Sequence, residues 1–309
     1  VSDDFAGKIV ALAGGVGGAR LVDGLDQVLP HDALDVVVNT GDDFRHWGLH
    51  ISPDLDTIMY TLAGLAPEER GWGIQGDTFE TLREAERRGH ESWFQLGDRD
   101  LVTHLDRTAR LYCGESLTLA TKHLCDSLDV RRRVLPMSDE PRRTQVVTQD
   151  GKTLEFQQWL VRARAKLPVS AIRHEGDAHA TTEVLESLDA ADLVVICPSN
   201  PFVSIDPILS LGGVRAALTR TPIIAVSPII RGSAVKGPLG TMIPELTGHA
   251  PSARAVADHY GDLLDAFVVQ DGDEFDAPYP IIETNILIRR REDRVRLASE
   301  LVRLAAELQ

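Results

Sequence analysis

The chain has 309 residues, 43% of them hydrophobic, enough to bury a large core as one big α/β domain or a core domain with an insertion, and this excludes a disordered chain. A formal net charge of −15 argues against nucleic acid as the main partner, because phosphate backbones are bound by basic surfaces. Three cysteines without C-x-x-C spacing read as reduced thiols of a cytoplasmic protein; no apolar run approaches the length that crosses a membrane, and no signal-peptide pattern opens the chain.

The first element is a short apolar run, Lys8 to Ala13, that ends in Gly14, Gly15, Gly17 and Gly18. An amphipathic pattern follows, with Leu21, Val22, Leu25, Val28 and Leu29 at helical spacing, so this stretch predicts a strand, a tight turn and a helix. Glycine lets a ligand approach the backbone, and a helix N-terminus aims amides at an anion, so a phosphate or diphosphate is the expected ligand. A turn that only lets helix and strand pack closely is the competing reading. The dinucleotide fingerprint does not fit, because its third glycine would fall on Arg20, and no G-K-[ST] follows for a Walker loop.

Leu34 to Asn39 reads as a buried strand emptying into Thr40-Gly41-Asp42-Asp43. Ser52-Pro53-Asp54-Leu55-Asp56-Thr57 then opens a helix, where capping explains one of its two acids but not both. Asp42, Asp43, Asp54 and Asp56 within fifteen residues call for a positive charge between them, and magnesium held by one or two carboxylates plus substrate phosphates suits that need. Solvated loop acids are the bland alternative.

From Pro67 to Leu135 the pattern is helical and charged, with helices expected at 78–88 and 118–128. Trp72, Trp93 and Phe94 interrupt it; they could cover a flat heteroaromatic substrate, but packing under a helical lid is favoured. Asp150-Gly151 between Thr144–Thr148 and Thr153–Leu160 signals a small β hairpin. Buried strands at 191–197 and 222–227 run into Pro198-Ser199-Asn200-Pro201 and a loop at 228–238 carrying Arg231 and Lys236. Strands at 265–270 and 281–288 and a terminal helix at 292–308 complete the chain.

Together, A-G-G-V-G-G-A-R at 13–20, V-N-T-G-D-D at 38–43, S-P-D-L-D-T at 52–57, L-G-D-R-D at 96–100, P-S-N-P at 198–201 and S-P-I-I-x-G-x-A-V-x-G-P at 227–238 resemble the 2-phospho-lactate transferase family of coenzyme F420 biosynthesis, whose actinobacterial members are phosphoenolpyruvate transferases. The resemblance implies a Rossmann-like α/β fold: a mostly parallel sheet with helices on both faces, and a single domain over 1–309 interrupted by an insertion at 67–170. It implies transfer of a phospho-(three-carbon acid) group from a diphospho-guanosine donor to the ribityl hydroxyl of the deazaflavin Fo, with release of GMP, Mg2+ as cofactor, and a homodimer.

By the same resemblance Gly14, Gly15, Gly17 and Gly18 cradle the diphosphate, and Asp43 and Asp54 hold the metal. Ser199, Asn200, Ser227 and Lys236 contact the guanosine nucleotide, and Asp56 and Gln95 meet the deazaflavin, although many relatives carry a basic residue where this chain has Gln95. Asp56 is expected to accept or orient the proton of the attacking hydroxyl, with Asp43 counted beside it as catalytic, and Asp56→Asn is expected to leave the fold intact. Asn200 between two prolines could instead serve only the turn, and Lys236 could be a solvated loop cation. The alternative function is a nucleotide-sugar-binding regulatory protein of the same fold without transferase activity. An NAD-dependent oxidoreductase is disfavoured, since the second strand ends in Asn39 and not in an acid.

Overall fold

The computed structural model describes residues 7–308. Seven parallel strands form the central sheet: β1 (Ile9–Ala13), β2 (Leu34–Val38), β3 (Arg133–Pro136), β4 (Leu193–Ile196), β5 (Ile223–Val226), β6 (Ala266–Gln270) and β7 (Ile281–Thr284). Their spatial order is β7-β6-β5-β4-β1-β2-β3. This is the Rossmann-like, doubly wound arrangement. The chain winds one way from β1 to β3 and the other way from β4 to β7, so the carboxyl ends of β1 and β4 flank the point where the winding reverses, the place where such sheets leave a crevice for ligands.

The strands are continuous β-branched and aliphatic runs because both faces are covered. Val10, Leu12, Val194 and Ile196 enter one apolar core, shared with Val184, Met242 and Val256. Ile9, Ala11, Ala13 and Val195 enter the other, under helices α1 (Gly15–Val28), α2 (Pro53–Leu62) and the C-terminal helix Arg291–Leu308.

The expected insertion at 67–170 is corrected. Arg133–Pro136 lies inside that range and is an edge strand of the main sheet, with Val134 in register with Val36. Four residues are too few to show a strand periodicity within a charged helical stretch. The excursion is therefore two separate ones, a helical stretch before β3 and a small antiparallel sheet after it. That second sheet has three strands: Arg143–Thr148 pairs with Thr153–Glu155 across the expected Asp-Gly turn and also with Val169–Glu175.

In the helical stretch, α3 (Glu80–Arg87), α4 (Asp100–Tyr112) and α5 (Leu117–Ser127) follow one another. Asp98 and Asp77 cap reciprocally: Asp98 accepts from the amides of Glu80 and Thr81 at the start of α3, and Asp77 accepts from the amides of Arg99 and Asp100 at the start of α4. Capping accounts for Asp98 in L-G-D-R-D and draws its carboxyl well below the usual range, through its hydrogen bonds to Thr78 and these amides. Asp100 serves the core, accepting from the Tyr60 hydroxyl at 2.7 Å.

Candidate active site

A cleft of about 480 Å³ opens at the carboxyl ends of β1 and β4. Gly14, Gly15, Gly17, Asp54, Ser199, Asn200, Ser227 and Lys236, all singled out in the sequence, line it. Gly18, Asp43, Asp56 and Gln95 do not.

The glycines divide by what surrounds them. A Cβ on Gly14 would come within 2.7 Å of both Asp54 Oδ2 and Ser204 Cβ, one on Gly18 within 2.7 Å of Ser199 Oγ, and one on Gly17 would collide with the Pro198 carbonyl. Gly15 has φ of +64° and open space around it. Close packing of the β1 and β4 ends accounts for the missing side chain at Gly18, which does not line the cleft.

Two of the turn's amides are already used. The Gly14 amide donates to Ser199 Oγ at 3.2 Å, while the same hydroxyl donates to the Gly14 carbonyl at 2.8 Å. The Gly15 amide donates to Asp54 Oδ1 at 2.9 Å. That leaves Val16 and Gly17, early in α1 where an amide has no intrahelical partner, as the amides facing the cleft.

Asn200 and Ser227 are also engaged locally. Asn200 Oδ1 accepts from the Phe202 amide at 3.0 Å, and Ser227 Oγ bonds both the amide and the carbonyl of Ile229. They shape the loops that wall the cleft.

Lys236 is not a free loop cation: its Nζ donates to the carbonyls of Glu69 and Arg70 at 3.1 and 3.0 Å. Arg20 reaches the carbonyls of Ile288 and Glu68 at 3.0 and 2.6 Å. Burial lowers both pKa values, Arg294 adding to the shift of Arg20 and Arg20 to that of Lys236. Arg20 also pairs with no carboxylate among the described residues, and its buried Nε has no partner, so an anion in the cleft would relieve this crowding of positive charge.

Four acids lie behind and beside the turn, all buried. Asp56 is held by Arg107, which is fully buried on α4, through both guanidinium terminal nitrogens, one of them at 3.2 Å from Oδ2. Burial acts to lower the pKa of Arg107, and the Asp56 carboxylate more than offsets it. His104 Nδ1 stands 3.6 Å from Asp56. Asp56 is thus half of a buried ion pair, which corrects the expectation that Asp56→Asn would spare the fold.

Asp43 accepts from Ser52 at 2.7 Å and contacts His50 Nε2 at 2.9 Å through one oxygen, and its other oxygen has no partner. Asp54 accepts from Asn39 Nδ2 at 2.9 Å, and burial pushes its carboxyl up to about 6. Asp42 lines the cleft with one unpartnered buried oxygen; burial first, and Asp54 second, raise it well above the carboxylate range. These unpartnered oxygens suit a hard divalent cation. Among the described residues no group of three or more His, Cys, Asp or Glu side chains is arranged to hold a metal ion.

The sequence reading missed Arg20, Arg70 and Gln157 as cleft residues and Arg107 as the partner of Asp56. Trp93 and Phe94 pack against Phe44 and His46, as favoured, and Gln95 beside them is exposed.

A glycine turn at the reversal point of a doubly wound sheet, walled by cations and backed by buried acids, is the setting in which folds of this class take phosphate-bearing ligands. The sequence model of the family described as 2-phospho-L-lactate transferase CofD matches residues 9–292, and the chain belongs to that family. It is similar to the phosphoenolpyruvate transferases of Thermobifida fusca and Mycobacterium ulcerans, each 43% identical and covering 86% of this chain and 87% and 89% of theirs. The Mycobacterium tuberculosis H37Rv phosphoenolpyruvate transferase is 41% identical over 86% of this chain and 88% of its own.

The chain is accordingly a transferase of the phosphoenolpyruvate or 2-phospho-L-lactate type, acting on small molecules in F420 biosynthesis, and this sets aside the purely regulatory alternative. In fold it also resembles a Bacillus halodurans protein of the UPF0052 family, with a TM-score of 0.66 at 16% identity over 96% of this chain and 98% of that one. No described helix is long and apolar enough to cross a membrane.

Proposed function

We propose that the enzyme transfers a phospho-(three-carbon acid) group, phosphoenolpyruvyl or 2-phospho-L-lactyl, from a diphospho-guanosine donor to the ribityl hydroxyl of Fo. The hydroxyl oxygen bonds to the phosphorus bearing the acid, the bond from that phosphorus to the bridging oxygen breaks, and GMP leaves with the electron pair. The hydroxyl proton passes to the acid cluster, in which Asp42 is the acid that lines the cleft, while Asp56, the acceptor expected from the family resemblance, stands behind it paired with Arg107.

The observation that carries this reading is the meeting of the α1 N-terminus, Arg20 and Lys236 with buried carboxylates in one cleft of nucleotide size. Phosphoryl transfer needs positioning and charge neutralisation more than covalent help. Val16 and Gly17 amides and the two cations would hold donor phosphates. Asp43 and Asp54, joined by Asp42, would hold Mg2+, for which unpartnered oxygens on Asp42 and Asp43 are suited. When bound, Mg2+ supplies neutralisation of phosphate charge. Arg107 and His104 fix the orientation of Asp56.

Incubation of the protein with Mg2+, Fo and, in parallel, the enolpyruvyl, lactyl and glyceryl diphospho-guanosines should release GMP and a deazaflavin phosphodiester with at least one donor. Absence of GMP with all three would refute the proposal. A homodimer belongs to the same reading, and sedimentation should give about twice the 33.8 kDa chain mass.

A further inference from the structure

One aromatic of the cleft is left without a role by this account. Trp72 lines the cleft and is 39% exposed, whereas Trp93 belongs to the cluster around Phe44, and Trp159 is buried with its Nε1 on the Leu167 carbonyl. It sits on a loop closed at its base by the Gln75 amide donating to the Leu65 carbonyl at 2.7 Å, a compact Ω-like excursion of the kind that carries function. Gly71 and Gly73 on either side take φ of +76° and +69°, so the chain turns sharply around the indole.

What holds this loop against the body is unusual. Arg20 donates to the Glu68 carbonyl, Lys236 to those of Glu69 and Arg70, and the Glu68 carboxylate pairs with Arg294. Gly71 lies against Val16, where a Cβ would clash with the valine side chain. The loop is thus fastened to the start of α1 and to the two cations that face the phosphate end of the cleft. Arg70 covers one face of the indole, its Cζ 4.4 Å from the ring centroid, and the ring stays partly exposed.

We infer that Trp72 is a ring-stacking residue for the base of the donor nucleotide. A flat heteroaromatic ring stacks on an indole face regardless of its hydrogen-bonding edge, and such contacts are lost on truncation to alanine. The latching of its loop by Arg20 and Lys236 fixes the distance between ring platform and phosphate cations, so that a nucleoside diphosphate is gripped at both ends. This inference rests on the guanylyl donor of the proposed function, yet its test measures binding and not turnover, so the two can fail separately.

Calorimetric titration of the full chain with GDP and Mg2+, with inorganic diphosphate and Mg2+, and with Fo alone tests it in wild type, Trp72→Ala and Trp72→Phe. Trp72→Ala should weaken GDP binding by roughly tenfold or more and leave diphosphate and Fo binding unchanged, with Trp72→Phe intermediate for GDP. Unchanged GDP affinity in Trp72→Ala, or equal losses for GDP and diphosphate, would overturn the stacking role. A loss confined to Fo would overturn the donor assignment and give the platform to the acceptor ring.

Discussion

Asp54 and Asp56 stand two residues apart on α2, both buried, in opposite electrostatic surroundings. Successive helical residues are rotated by about 100°, so a spacing of two sends the side chains to different sides of the helix. Asp54 meets the start of α1 and the cleft, where its partners are neutral amides and its carboxyl is raised to about 6. Asp56 meets α4 and is matched by Arg107. One acid is compensated by the protein itself, and the other is left for something that arrives with the substrate. A motif that looks uniform in sequence therefore contains a fixed strut and an adaptable ligand.

Removing the strut should have the largest effect. Arg107→Ala strands a buried carboxylate and is expected to cost about 3–5 kcal/mol in urea unfolding, whereas no comparable loss should follow from a change at Asp54. If Arg107→Ala unfolds like wild type, the two acids do not differ as described. Asp56→Asn should follow, with turnover lowered about 100-fold or more and a measurable loss of stability beside it. Near-normal GMP release from a stably folded Asp56→Asn would confine Asp56 to packing.

The comparison sharpens with pH. The unfolded chain releases the Asp54 proton near 3.8 and the folded chain only near 6, so in between the folded form holds more protons. In metal-free protein the contribution of Asp54 to stability should be fully present below about pH 4 and decline as pH rises to about 6. The difference between wild type and Asp54→Asn in unfolding midpoint across that window isolates the contribution, and parallel curves would contradict it. The smallest effect is expected at the exposed Gln95: Gln95→Ala should change stability by no more than about 0.5 kcal/mol, and its apparent KM for Fo tells whether the acceptor reaches that loop.

Much of the fold could be read from the chain, because buried parallel strands are written as β-branched runs and each ends in loop residues. The helices at 80–87, 117–127 and 291–308 fall within two residues of their expected bounds. The edge strand at 133–136 carries too short a signal. Helix α4 defeats the usual pattern: Val102, Leu105 and Tyr112 are 63%, 51% and 91% exposed, while Thr103, His104 and Arg107 face inward. A basic residue on the inner face of a helix was the available hint to Arg107, and it becomes meaningful only when paired with an acid 51 positions away. Similarly, the glycine turn declared the cleft, but Arg70 joins it from a loop and Gln157 from a short helical turn, whose approach only the tertiary packing determines.

The mutual capping by Asp77 and Asp98 has a practical corollary. Asp77 and Asp98 tie the leading ends of α3 and α4 together, and residues 88–90, just past the trailing end of α3, take no part in that capping. Gly89, exposed there, takes φ of +83°, a backbone that strains any side chain, so a reporter dye belongs on its exposed neighbour His90.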